Sequence, residues 1–176
     1  KGLTSYIYIY TFIFILSSQS TNACDFKVLN FGDKKDKLVS ISPSALVFEN
    51  QFGGENVITP ITDVCKNNKK LQGTKLDYLF MDNKLVLITF LRGNMDDTAL
   101  LDFAMLKYGS FNLPIGIEKK NWRGSYVWEI GNDIINYIRS DIHEGNAELL
   151  EVSSKLYSSE LNKYLDEVGK WLDTRE

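Results

Sequence analysis

Leu76-Asp77-Tyr78-Leu79-Phe80-Met81-Asp82-Asn83-Lys84-Leu85-Val86-Leu87-Ile88-Thr89-Phe90 is the stretch whose reading decides the fold. Two runs rich in aromatic and aliphatic residues flank Asp82-Asn83. Asn and Asp tolerate the left-handed backbone that a tight two-residue connection requires, so the stretch predicts an antiparallel hairpin. Successive residues of both runs are apolar, leaving neither side suited to water. Such a hairpin belongs in the middle of its sheet, under helices.

Downstream, Ser125-Tyr126-Val127-Trp128-Glu129-Ile130 and Asp133-Ile134-Ile135-Asn136-Tyr137-Ile138 repeat the arrangement around Gly131-Asn132, a pair suited to a type II′ turn. A further run from Ala147 to Tyr157 follows Gly145-Asn146 and extends the second hairpin into a meander. Upstream, Phe26 to Phe31 and Leu38 to Ile41 read as a hairpin around Gly32-Asp33-Lys34-Lys35-Asp36. Residues 44–56 stay open between strand and loop, with Leu46-Val47-Phe48 as strand and Gly53-Gly54 as loop.

Helices fill the intervals. Thr59-Pro60 has the form of an N-cap followed by a first-turn proline, with Ile61, Val64, Cys65 and Leu71 on one face. Asp96-Asp97 opens a second helix whose apolar stripe is Leu100, Leu101, Phe103, Ala104, Met105 and Tyr108, and Gly109 ends it. The last helix is the clearest: Leu161, Tyr164, Leu165, Val168, Trp171 and Leu172 recur at helical spacing behind Ser158, Ser159 and Glu160. The expected fold is therefore α+β, an antiparallel sheet of hairpins and a meander with helices packed on one face. Tyr78 matches Trp128, Phe80 Ile130, Asp82 Asn132 and Leu85 Ile135, a pattern open to two readings, a tandem helix-plus-hairpin duplication or the likeness that any two β-hairpins share. The layout is similar to that of exported tandem helix-plus-sheet proteins, in arrangement alone and without a shared motif.

Residues 1–23 read as a signal peptide. Tyr6 to Leu16 form an apolar core too short to span a bilayer, and Thr21 and Ala23 suit cleavage before Cys24. The single domain expected over 24–176 then has 153 residues, enough to bury roughly 70% of its unfolded surface. Its formal charge is −4 once Lys1 is set aside, with acids interleaved among the bases, which argues against nucleic-acid binding. Export places the protein in the periplasm or outside the cell, where a Cys24–Cys65 disulfide forms and persists. The alternative is membrane anchorage, through an uncleaved signal or a lipid on Cys24.

Chemistry is sparse in this sequence. It holds no G-x-S-x-G, P-loop or G-x-G-x-x-G, and one histidine. His143, two residues after Asp141, supports a small exported hydrolase only if that pair does all the work, and a zinc site there lacks ligands. No catalytic residue, metal ligand or cofactor is assigned. The feature that points to function is the aromatic group Tyr108, Phe111, Trp122, Tyr126 and Trp128 around the 110–124 loop, beside Lys119, Lys120 and Arg123. Aromatic side chains mixed with basic ones are typical of interaction surfaces. Phe111, Lys119, Lys120, Trp122 and Arg123 are thus the expected binding residues of a monomeric interaction module, its partner an envelope protein or a small ligand. The second reading is the hydrolase, and the third a lipid-anchored structural protein.

Overall fold

The computed structural model describes residue 24 and residues 26–66, 68–93, 97–142 and 145–174. Residues 1–23, Asp96 and His143 lie outside them, and with these the expectations for the signal, for the Asp96 cap and for His143 chemistry. Seven strands form one antiparallel sheet: β1 (Leu46–Glu49), β2 (Gly54–Pro60), β3 (Lys75–Met81), β4 (Lys84–Gly93), β5 (Gly124–Ile130), β6 (Asp133–Ile142) and β7 (Gly145–Ser154). The order is β1-β2-β3-β4-β7-β6-β5. The first four strands run from one edge to the middle. The chain then crosses to the far edge, and the β5–β6–β7 meander returns until β7 closes on β4, from Leu87↔Ser153 to Gly93↔Ala147.

Turn chemistry is as the sequence dictates. Asp82 and Asn83 both have positive φ, 48° and 58°, the pattern of a type I′ turn. At the β5–β6 turn Gly131 alone takes positive φ, 59°, as a type II′ turn needs. Forcing a Cβ into that left-handed conformation costs roughly 1–2 kcal/mol. Gly131→Ala should therefore lower the urea midpoint by that amount with an unchanged m value; an unchanged midpoint would mean the turn is free to adopt another form.

The inner face of the sheet carries the main core. Phe90 meets Phe26 edge-on at 4.6 Å and Phe103 at 6.0 Å, and the Tyr78 hydroxyl donates to the Phe26 carbonyl at 2.7 Å. Helix α3 (Ala99–Tyr108) buries Leu100, Leu101 and Ala104 on this face. Helix α1 (Lys35–Ile41) buries Leu38 alone.

The hairpin expected over residues 26–41 does not form. Residues 26–34 are irregular, and the second run is α1. The reason lies in where the backbone bonds go: Gly32 N–H donates to the Leu85 carbonyl and Leu85 N–H to the Asp33 carbonyl, both at 2.9 Å. The segment thus bonds to the start of β4, and the Asp33 carboxylate accepts from the Asn30 N–H and from Lys37, closing the turn ahead of α1. The helix expected after Thr59-Pro60 is likewise shorter. Both residues complete β2, and α2 (Ile61–Val64) is one turn, followed by a 3-10 turn at Lys69–Leu71.

Cys24 and Cys65 are disulfide-bonded, their Cα atoms 4.6 Å apart and both side chains buried. Helix α4 (Ser158–Asp173) is the element that departs from packing on one side. Its Leu161 lies against Leu79 and Val86 on the outer face, opposite the main core. Among the described residues no helix is long and apolar enough to cross a membrane.

Candidate functional site

The aromatic residues singled out around the 110–124 loop come together as one cluster. Phe111 stacks on Tyr126 with centroids 4.0 Å apart and planes 8° from parallel, and lies 5.4 Å from Trp122 and 5.7 Å from Trp128. Trp122 stacks on Tyr137 at 6.0 Å, and the Trp128 indole N–H donates to the Gly109 carbonyl at 2.9 Å, tying the loop to the end of α3. Trp122 is only 6% exposed. Gly124 permits this seat: with φ at +154°, a Cβ there would come within 2.9 Å of the Trp122 ring. Phe111 is half-buried, Tyr126 is partly open, and Ile115 and Ile117 project from the loop into solvent.

The basic residues beside the cluster are tied down in different ways. Lys119 reaches Asp102 of α3 at 2.6 Å, and Lys120 pairs with Glu118 at the surface. Arg123 donates through Nε to Asp141 at 2.6 Å and through Nη1 to the Lys120 and Trp122 carbonyls, stapling the loop to β6. Lys120 also borders a cleft of about 290 Å³ with Lys70, Asp97, Thr98, Ala99 and Asp102. Among the described residues no three His, Cys, Asp or Glu side chains gather closely enough to hold a metal ion.

Below that cleft lies a charged row the sequence reading missed. Arg92, Glu148 and Arg139 are register partners across β4, β7 and β6, each buried on the inner face, Glu148 and Arg139 to 1% exposure. The Glu148 carboxylate accepts from the Leu100 and Leu101 N–H groups at the start of α3, from the Tyr137 hydroxyl at 2.7 Å and from Arg139 at 3.0 Å. It supplies from a neighbouring strand the negative charge that a helix N-terminus favours. Arg92 grips Asp97 with both terminal nitrogens. Burial works against the charge on Asp97, but Arg92 outweighs it and holds that carboxyl below its ordinary range. Burial and then the Glu148 charge push the Tyr137 phenol far above its usual value, so it keeps the proton that it donates to Glu148. A signal existed: Arg92, Arg139 and Glu148 each occupy the inward phase of their strands, two residues from Phe90, Tyr137 and Leu150.

The outer face is differently built. Beyond the corner seated under α4, one row runs Leu91–Leu149–Ile138 and the next runs Asp77–Thr89–Glu151–Asn136–Val127, in the register of β3, β4, β7, β6 and β5. Leu91 and Val127 are exposed, 43% and 51%, and Asp77, Glu151 and Asn136 are half-buried. Asp77 accepts from the Asn56 amide at 3.0 Å, and Glu151 from the Asn136 amide at 3.3 Å. Burial raises the pKa of both carboxyls, and these amide bonds only partly oppose it. Each carboxyl thus takes up its proton at higher pH when folded than when unfolded. Its contribution to stability falls as pH rises above the ordinary carboxylate range.

Comparison of the chain with protein-family models, with curated proteins and with solved structures found no match.

Proposed function

We propose that this protein is an exported, non-enzymatic interaction module that binds another protein through the outer face of the β5–β6–β7 meander and the rim of the 110–124 loop. The observation that carries this reading is the exposure of Leu91 and Val127 on a sheet face that α4 covers only at one corner, with Ile115 and Ile117 exposed separately on the loop. A sheet normally buries its apolar face or keeps it polar, and contiguous apolar exposure marks an interaction surface. Export is supported by the layout of residues 1–23 and by the disulfide, a bond that persists in oxidising compartments. Phe111 and Trp122 support the loop from beneath, while Lys119, Lys120 and Arg123 border it.

A photo-crosslinking side chain placed at Val127 or Ile115, in protein expressed in its exporting cell, should give one discrete protein adduct absent from a control at Lys66. The same adducts at all three positions, or none, would overturn the reading.

A further inference from the structure

The interaction reading leaves the chemistry of the partner open, and the outer face narrows it. Resting on that reading, we infer that the partner presents an extended segment with an arginine or lysine seated between Asp77 and Glu151, flanked by apolar side chains. Asp77 and Glu151 pair in register with Thr89 from opposite sides, so their Cα atoms stand two strand spacings apart, about 10 Å, with both side chains on the outer face. One guanidinium or ammonium group over Thr89 reaches both.

These two acids differ from others on the molecule. Glu55, Asp133, Asp141 and Glu148 each hold a lysine or arginine. Asp77 and Glu151 have only the amides of Asn56 and Asn136 as hydrogen-bond partners, and no ion pair among the described residues includes either. Lys75, exposed and on the same strand as Asp77, acts on it through charge alone. Half-buried carboxylates with no direct ion pair, set among apolar side chains at a cost in stability, are a charge pattern completed by a basic partner.

The surroundings set the size of that partner. Glu160, Lys163, Tyr164 and Glu167 of α4 line a cleft with Phe52, Met81 and Asp82, so this flank of the helix faces the tip of the β3–β4 hairpin. At 3.6 residues per turn Leu165 and Leu172 lie away from that flank, and both are about half exposed. The acid pair is bordered on the same face by the Leu91–Leu149–Ile138 row, and Asp77 lies near enough to α4 for its charge to act on Tyr164. From β3 to β5 the face spans about 19 Å, the length of roughly six extended residues. A small amine would leave most of this apolar surface in water, whereas an amphipathic protein segment covers it.

The test uses the full chain and four synthetic nonapeptides of alternating Leu and Thr around a central Arg, Lys, Gln or Glu, with affinity read by fluorescence anisotropy and the footprint by amide chemical shifts. The Arg and Lys peptides should bind about tenfold or more tighter than the Glu peptide, with shifts centred on Thr89 and Glu151. Combining Asp77→Asn with Glu151→Gln should erase that gap without lowering the thermal midpoint at neutral pH, since a half-buried charge is removed. Leu91→Ser, which removes apolar surface from the row beside the acids, should weaken every peptide. Equal affinity for all four peptides, a footprint elsewhere, or no binding would overturn the basic-segment assignment. The interaction reading falls separately, on loss of the Val127 and Ile115 adducts.

Discussion

Glu148→Ala should lower the thermal midpoint by roughly 10–15 °C, the largest effect expected of any single side chain here. Glu148 lies between Arg92 and Arg139 with all three buried, and its removal leaves two guanidinium groups without their shared carboxylate. Breaking a buried ion pair from one side costs about 3–5 kcal/mol, and in a domain of this size each kcal/mol shifts the midpoint by about 2–4 °C. The N–H groups of Leu100 and Leu101 lose their acceptor as well, so the start of α3 should fray, visible as faster amide exchange at those residues. Combining Glu148→Leu with Arg139→Met should recover a large part of the loss, because an apolar replacement of a buried pair is often neutral. A Glu148→Ala midpoint within 2 °C of the wild type, on the order of 1 kcal/mol or less, would show that water reaches the row and screens it.

Breaking the disulfide is the second large effect. The bridge joins residues 41 apart in sequence, for which the chain-entropy model gives about 4 kcal/mol, or roughly 10 °C. Its structural consequence is specific. Cys24 anchors the segment that delivers Phe26 and Leu29 to the inner core, both of them buried and neither held by a strand. Cys24→Ala, Cys65→Ala and the double variant should unfold at the same reduced temperature, and wild-type protein in reductant should join them. Proton exchange of the Tyr78 hydroxyl, which donates to Phe26, should quicken in all four samples. If the two single variants differ by more than the double-variant scatter, the sulfurs contribute through packing more than through the bond.

Much of the sheet was legible because its turns carry their own chemistry. Asp82-Asn83 and Gly131-Asn132 name the hairpins, and the apolar runs on either side place β3 and β4 at the centre. Residues 26–41 were misread because a short apolar run such as Leu38-Val39-Ser40-Ile41 has no period of its own, and the deciding partner, the backbone of Leu85, is far away in sequence. The aromatic group was legible as a group. Its depth was not, since Trp122 reaches the core through a glycine whose role shows only in the folded backbone. The acids of the outer face escaped notice for the opposite reason to the inner charged row. Asp77 and Glu151 sit where a strand exposed on one side would place polar residues, and their lack of a direct ion pair is a matter of which strands become neighbours.

The pairing of β4 with β7 gives the chain a seam. Every other neighbouring pair in the sheet joins strands consecutive in sequence, so each closes over a short local connection. β4 and β7 meet only after α3, the long loop and the whole meander have been laid down, and Arg92 joins the Glu148–Arg139 pair of the meander only across that join. Assembly therefore divides into two local halves followed by one docking event, whose loop-closure entropy makes it the slow step. A nick in the loop between Ser110 and Glu118 would leave both halves with their turns and strands intact. It would convert the middle of the sheet into an interface between two fragments, held by β4–β7 backbone bonds and locked by a shared glutamate.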